Sequence, residues 1–404
     1  MKIHNYPDRH LTYCTNIHLG ESWKEVFSQL DNIVPTLKSN ICPEEPFGIG
    51  LRLSAQATSE LLEQDRLQSF KDWLDSERLY VFTLNGFPYG NFHGTRVKEN
   101  VYAPDWRKED RVDYTLDLVK ILACLLPEGM DGGISTSPLS YKYWLEDQLD
   151  KEQAFRDSSQ NLARIAYEMD RIQKEKGLNL HLDIEPEPDC LLENSRETIS
   201  FFENWLFPEG KASLSDQYGV TSFEAEKMLR NHIAVCYDTC HFAVEFEDPE
   251  QAIGRLLNAG IRIGKVQISS ALKIKLENKT DRKKEAHKLS SFAESTYLHQ
   301  VVEKRTDGSF YQYRDLSEAL DHIDDQRAKE WRIHYHVPLF VDIYDSLQST
   351  QDDIIQSWNV FKEVEDCHHF EIETYTWEVL PDSLKKTLSD SIEREFNWVL
   401  AMMD

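Results

Sequence analysis

The sequence predicts an α/β fold, a (β/α)8 TIM barrel of eight parallel strands, and three observations predict it. Eight short β-rich runs alternate with helical patterns, and eight strand–helix units is the number that closes such a barrel. Polar and charged residues gather at the carboxyl ends of those runs, where a parallel barrel keeps its chemistry. Across 404 residues there is no convincing internal repeat and no low-complexity linker, so a single domain, 1–404, is expected.

The first run is Leu11 to His18. The helix after it places Trp23, Val26, Phe27, Leu30, Val34 and Leu37 on one face, with Ser22 and Glu25 at capping-box spacing. Gly48–Ser54 and Leu79–Asn85 follow, each leading into a helix, and then Gly133–Ser137 with a long helix through Phe155, Leu162 and Met169. Leu178–Glu185, Ile233–Asp238 and Ile261–Ser269 are the fifth to seventh runs, and Phe370–Tyr375 is the eighth. Roughly a hundred residues separate the last two, where a simple connection needs far fewer. Residues 271–345 are therefore expected to be an insertion between strands 7 and 8 that covers the catalytic face. Within it, Arg332 to Ile343 reads as an extra β run, and Lys275 to Lys288 as a charged stretch whose Arg282–Lys288 part is a solvated helix face. An amphipathic helix with Leu384, Leu388, Ile392, Phe396 and Leu400 closes the chain.

Composition excludes several function classes. The 45 Lys and Arg against 71 Asp and Glu give a net charge of −26, which a phosphate backbone or an anionic membrane repels, so no nucleic-acid partner is expected. A hydrophobic share of 40 %, with 11 % aromatics, is ample for a packed core. No apolar run approaches the ~18 residues a membrane span needs. Seven scattered cysteines without a Cys-x-x-Cys pair, and a polar Met1–Asp8 lacking a signal core, point to a reduced cytoplasmic setting.

The candidate chemistry lies at the strand ends: Asn16 and His18 on the first strand, Arg52 on the second, Asn85 on the third, Asp183-Ile184-Glu185 on the fifth, Asp238-Thr239-Cys240-His241 on the sixth, Gln267 on the seventh, Glu371 and Glu373 on the eighth. Glu185, Asp238, Gln267 and Glu373 come from four successive strands and can converge on one divalent cation. Oxygen ligands suit Mn or Mg, and added imidazole shifts the balance toward Zn. A lone carboxylate at a strand end is more often a loop cap; three carboxylates and an amide at four successive strand ends are not. The loop Asn85–Trp106, with Phe87, Tyr89, Phe92, His93, Arg96, Lys98 and Tyr102, either clamps an aromatic or anionic substrate or simply packs over the barrel mouth. Arg52 could anchor an anionic group or pair with a nearby carboxylate. Trp377 could line the pocket or pack in the core. His334 and His336, two apart on the extra run, would present two imidazoles to one side.

Glu185, Asp238-x-x-His241, the strand Lys265-Val266-Gln267-Ile268 and Glu373 together resemble the xylose-isomerase-like superfamily of TIM barrels. That resemblance implies one divalent metal held by Glu185, Asp238, Gln267 and Glu373, with His241 touching substrate or a further metal. His334-x-His336 matches an Asp-x-His metal motif of the superfamily's endonucleases, His336 at the ligand position, though His replaces Asp. Longer blocks, Tyr13-Cys14-Thr15-Asn16-Ile17-His18, Phe47–Ser54, Asn85–Gly90, Asp183–Pro188, Cys236–His241 and Glu373–Trp377, are similar to the EboE family of "metabolite traffic" proteins. This second resemblance implies a bacterial gene cluster linked to export of secondary-metabolite precursors, with a membrane prenyltransferase-like protein among the possible partners.

Two readings stand. In the first the protein is a metal-dependent isomerase, epimerase, lyase or hydrolase of a small polar or aromatic metabolite. Glu185 or Glu373 moves a proton, His241 orients the substrate, and His18, Arg52, Asn85, His93, His334 and Trp377 line its site. In the second it is a non-catalytic metabolite-binding or carrier protein of the same pathway.

Overall fold

The computed structural model describes residues 1–92, 96–276, 281–344, 346–377 and 387–404. Eight parallel strands form the barrel: β1 (Tyr6–Tyr13), β2 (Phe47–Arg52), β3 (Leu79–Asn85), β4 (Asp131–Thr136), β5 (Asn179–Ile184), β6 (Ile233–Asp238), β7 (Ile263–Ile268) and β8 (His369–Ile372). Their order is β1-β8-β7-β6-β5-β4-β3-β2, with the short strand Lys2–Ile3 antiparallel outside β1. A parallel bridge between Cys14 and Gly50 closes the ring. The backbone N–H of Arg52 strengthens that seam by donating to the Thr15 hydroxyl at 2.9 Å.

Alternation along each strand divides the side chains. On β8, Phe370 and Ile372 belong to the apolar layer beneath the helices, whereas Glu371 points inward. There its carboxylate takes the Lys265 ammonium at 2.9 Å, both side chains fully buried. The surrounding helices follow the amphipathic logic of the sequence. Trp23–Ile41 begins in the expected capping box and buries Trp23, Val26, Leu30, Val34 and Leu37. The long helix Gln148–Lys176 is capped by Asp147 and ends at Gly177 in the left-handed conformation.

Between β7 and β8 in the chain lies a second sheet of six strands, 272–275, 301–305, 310–313, 328–333, 343–344 and 347–349. Two details differ from the sequence reading. The run Arg332–Ile343 is not one strand: Ala328–Ile333 ends before His334, and the chain is irregular through Pro338, which has no N–H to offer a ladder. Arg282 is not solvated but buried, donating to the carbonyls of Leu276, Ile323, Asp325 and Ala328. Leu384, expected on the closing helix, lies outside the described residues, and that helix runs from Leu388 to Met403. Among the described residues no helix is long and apolar enough to cross a membrane.

Candidate metal centre

The carboxyl ends of β5, β6 and β8 bring Glu185, Asp238 and Glu373 together, one oxygen of each lying within 4.8 Å of the others. All three side chains are buried. Asp238 caps the short helix Thr239–Val244. Its Oδ1 accepts from the N–H groups of Cys240 and His241 at 2.8 and 3.0 Å and from the Ser269 hydroxyl at 2.6 Å. Glu373 Oε1 accepts from Asn16 Nδ2 at 2.8 Å and Asn85 Nδ2 at 3.0 Å. Gln267 sits opposite Asp238 in the β6–β7 register and spends its Nε2 on Glu371 at 3.2 Å. Three buried acceptors are then left without a donor: Glu185 Oε2, Asp238 Oδ2 and Gln267 Oε1. Their natural counter-ion, Lys265, is already engaged one layer deeper with Glu371.

Three imidazoles stand beside these carboxylates. His241 Nδ1 donates to the Pro186 carbonyl at 3.0 Å, and His336 Nδ1 donates to the Glu373 carbonyl at 2.8 Å. His334 Nδ1 donates to Gln300 Oε1 at 2.7 Å. The Gln300 amide is oriented by its Nε2, which donates to the Tyr102 hydroxyl and the Pro188 carbonyl, both at 3.1 Å. A carbonyl only accepts, so each neutral ring carries its proton on Nδ1 and a lone pair on Nε2. His334 Nε2 and His336 Nε2 lie 3.3 Å apart. Two lone pairs facing at that distance repel, and a shared cation is what turns the contact favourable. Asp238 groups with His241 and His336, Glu187 with His241 and His334, and Cys240 with His334 and His336, each set within 4.8 Å. Asp238 thus belongs to both the carboxylate set and the imidazole set.

Electrostatics agree. Burial, then Glu373 and Asp238, pushes the Glu185 carboxyl well above its usual range. Burial and then Asp238 do the same to Glu373. Burial raises Glu187 to about 8. For Asp238 burial works against ionisation, but His241, His336, the Ser269 hydroxyl and the His241 N–H outweigh it and hold the group low. Burial drops His241 to about 4 and lowers His334 and His336, so the rings are neutral near pH 7. Buried carboxylates and neutral imidazoles in one cluster fit a divalent cation, and the donor set accommodates Mn, Mg or Zn.

The cluster forms the wall of a pocket with about 530 Å³ of space, its open mouth included. Phe87, Phe92, Tyr102, Tyr297 and Tyr375 give it aromatic walls. Tyr102 donates to Glu187 Oε1 at 2.7 Å. Lys98, at the rim, is paired with Asp315.

Of the residues singled out in the sequence, Glu185, Asp238, Glu373, His241, His334 and His336 meet here, and Asn85 holds Glu373 in place. Gln267 adjoins them through its register with Asp238. Three expected substrate contacts fall elsewhere. Arg52 turns to Glu21 at 3.1 Å and to the carbonyls of Gly20 and Gly90, the pairing with a nearby carboxylate that the sequence also allows. His18 faces the Tyr13 hydroxyl at 2.9 Å, behind the pocket wall. Trp377 is buried beside Phe340, ring centroids 6.2 Å apart, in the apolar core. His93 lies outside the described residues. Tyr102, on the aromatic loop expected to clamp a substrate or pack over the mouth, lines the pocket, whereas Glu187 and Gln300 were not foreseen as site residues. Glu187 had a signal, the second Glu of Glu-Pro-Glu-Pro; Gln300 had none.

No family model matches the chain, and no curated protein matches it. Among solved structures, the chain is similar to a D-allulose 3-epimerase from Methylomonas sp. at 12 % identity and a TM-score of 0.47, covering 100 % of both chains. A xylose isomerase-like TIM barrel protein from Mycobacterium smegmatis in complex with magnesium matches at 9 % identity and 0.47, covering 100 % of this chain and 98 % of that one. An IolI protein with a bound zinc atom matches at 12 % identity and 0.44, covering 98 % of each.

Proposed function

We propose that this protein is a divalent-metal-dependent enzyme of the isomerase or epimerase type, acting on a small polar or aromatic metabolite held under the aromatic walls of the pocket. The observation that carries this reading is a buried carboxylate cluster whose Glu185 Oε2 and Asp238 Oδ2 have no donor, with His241 and His336 grouped on Asp238 and His334 Nε2 lying 3.3 Å from His336 Nε2. Glu185, Asp238, Gln267 and Glu373 would hold the ion, and His336 with His241 and His334 would offer a second position beside it. When bound, such an ion polarises a carbonyl or hydroxyl of the substrate.

The chain's own residues account for the rest. Glu185 and Glu373 are the buried carboxylates of the cluster placed to take a proton from carbon and return it to the neighbouring one. Asn16 and Asn85 fix one oxygen of Glu373, leaving the other free to act. His241 orients the substrate. Phe87, Tyr102, Tyr297 and Tyr375 exclude water and accept the apolar face of the ligand. Residues 271–345, which supply Tyr297, His334 and His336 to the pocket, serve as its cover.

The blocks shared with the EboE family support a cytoplasmic role on a precursor of an exported secondary metabolite, alongside other products of that cluster, including its membrane prenyltransferase-like protein. The test is proton exchange in D2O. Mn-, Mg- and Zn-loaded protein is incubated with a panel of small hydroxy-ketones and hydroxy-acids, and deuterium uptake at carbon is followed by NMR. Metal-dependent uptake that Glu373→Gln abolishes is the expected result. Saturable binding without any exchange would replace this reading with the carrier reading.

A further inference from the structure

We propose that the amino-terminal end of the barrel holds a separate zinc site, built from His181, His369 and Asp131 with His368 at its outer edge. A second cluster of ligand atoms lies at the opposite end of the barrel from the pocket. His181 lies four residues before Glu185 on β5, about 13 Å away at the usual rise of a strand. One ligand atom each from Asp131, His181 and His369 lies within 4.8 Å of the others.

The separations are those of a coordination shell. His181 Nε2 is 3.6 Å from Asp131 Oδ2, and His369 Nε2 is 3.3 Å from Asp131 Oδ1. His368 Nδ1 hydrogen-bonds the same carboxylate, 3.3 Å from each of its oxygens. A tetrahedral zinc with bonds of about 2.0–2.1 Å keeps its ligand atoms about 3.3–3.4 Å apart. Hydrogen bonds between nitrogen and oxygen are shorter, mostly about 2.7–3.2 Å. Neither Nε2 makes a hydrogen bond, and nor does His369 Nδ1, although both rings are buried to within 1 % of full burial. Burying such groups unmatched is unfavourable.

The supporting shell is present as well. His181 Nδ1 donates to the fully buried Asp183 carboxylate, 2.7 and 2.9 Å from its two oxygens. That carboxylate–imidazole pairing fixes the Nε2 lone pair toward the metal position in zinc proteins. Space for the rings comes from two glycines. A Cβ on Gly133 would lie 2.6 Å from His181 Cε1 and 2.9 Å from His369 Nδ1. A Cβ on Gly264, the bulged residue of β7, would lie 2.1 Å from Asp183 Oδ1. Asp131 and His368 are partly exposed, so an ion can reach the cluster from solvent. The site would tie β8, which returns only after the long insertion, to β4 and β5. It does not depend on the reading of the pocket.

The alternative for these atoms is a metal-free ion pair, a protonated His181 between Asp131 and Asp183. Zinc alone separates the two. Zinc per chain is measured by mass spectrometry after loading and dialysis, and affinity by competition with a chromophoric chelator. His181→Gln/His369→Gln should hold one zinc fewer than the wild type. Asp238→Asn/His336→Gln, altered at the other end, should keep that zinc, and its X-ray absorption should show imidazole ligands. Should the first variant fail to fold, Asp131→Asn, at a partly exposed position, should weaken this zinc by at least about 100-fold. Zinc content and affinity unchanged in Asp131→Asn, or no imidazole-ligated zinc in Asp238→Asn/His336→Gln, would overturn the proposal.

Discussion

The two ends of this barrel solve the same problem by different means. At the carboxyl end, Asp238 closes its strand, Glu185 and Glu373 lie one residue beyond theirs, and the imidazoles arrive from a helix and from the insertion. At the amino end, Asp131, His181 and His369 all belong to the strands themselves, and glycines on β4 and β7 clear the space. The carboxyl end is lined by loops that can vary, and it opens into a pocket. At the amino end His181 and His369 are buried, and Asp131 and His368 are partly exposed. Buried ligand atoms without donors occur at both, yet only one end has room for a substrate. A cluster of ligands alone therefore does not identify an active site; the cavity beside it does.

The contrast can be broken at defined points. The largest effect concerns the frame of the carboxyl end. Glu395 on the closing helix accepts from Thr374 Oγ1 at 2.7 Å and from the Leu339 N–H at 3.2 Å, and burial raises its carboxyl to about 8. The fold therefore binds this proton more tightly than the unfolded chain does. Its stabilisation is complete below the unfolded value and falls as pH rises from about 4.5 toward 8, by an amount on the order of 4 kcal/mol. Glu395→Gln should flatten that decline in denaturant titrations run across the same pH range.

The next effect belongs to the amino end. Gly264→Ala drives a methyl group into Asp183 and His181, and should cost about 3 kcal/mol in urea unfolding and remove the zinc proposed there. Metal at the carboxyl end should be untouched. The smallest effect sharpens the comparison from the other side. Gln300→Leu releases the His334 Nδ1 proton from its fixed acceptor and should weaken zinc at the carboxyl end about tenfold, with no change at the amino end.

Much of this was legible in the sequence. Leu79–Asn85 and Ile233–Asp238 are strands with the expected bounds, because continuous apolar runs between turn residues leave few alternatives. β1 was misplaced by several residues: Thr15–Ile17 turns into a short 3-10 helix and gives its Thr15 hydroxyl to the seam with β2. The metal-ligand candidates were found because strand ends and period-two alternation fix where side chains go. His334 and His336 do face one cluster, but from an irregular segment rather than from a strand. Arg52 takes the second of its two sequence alternatives, pairing with a carboxylate, and a buried Arg on a strand does not by itself say which one it reaches. The amino-end cluster has its own signal in the sequence: His181, Asp183 and Glu185 alternate along one inward face at and just beyond β5, and the strand-end rule reaches only the last two.

The central claim is that the carboxyl end of the barrel is a metal centre built on Glu185, Asp238 and Glu373 and flanked by three neutral imidazoles. Crystals of the zinc-loaded protein, with anomalous data collected on both sides of the zinc edge, test it most directly. The account predicts an anomalous peak among Glu185, Asp238, Glu373 and His336, within bonding distance of an oxygen of Asp238, and its loss in Asp238→Asn. An ordered, fully loaded crystal with no peak at that end, and with His334 and His336 still 3.3 Å apart, would contradict it.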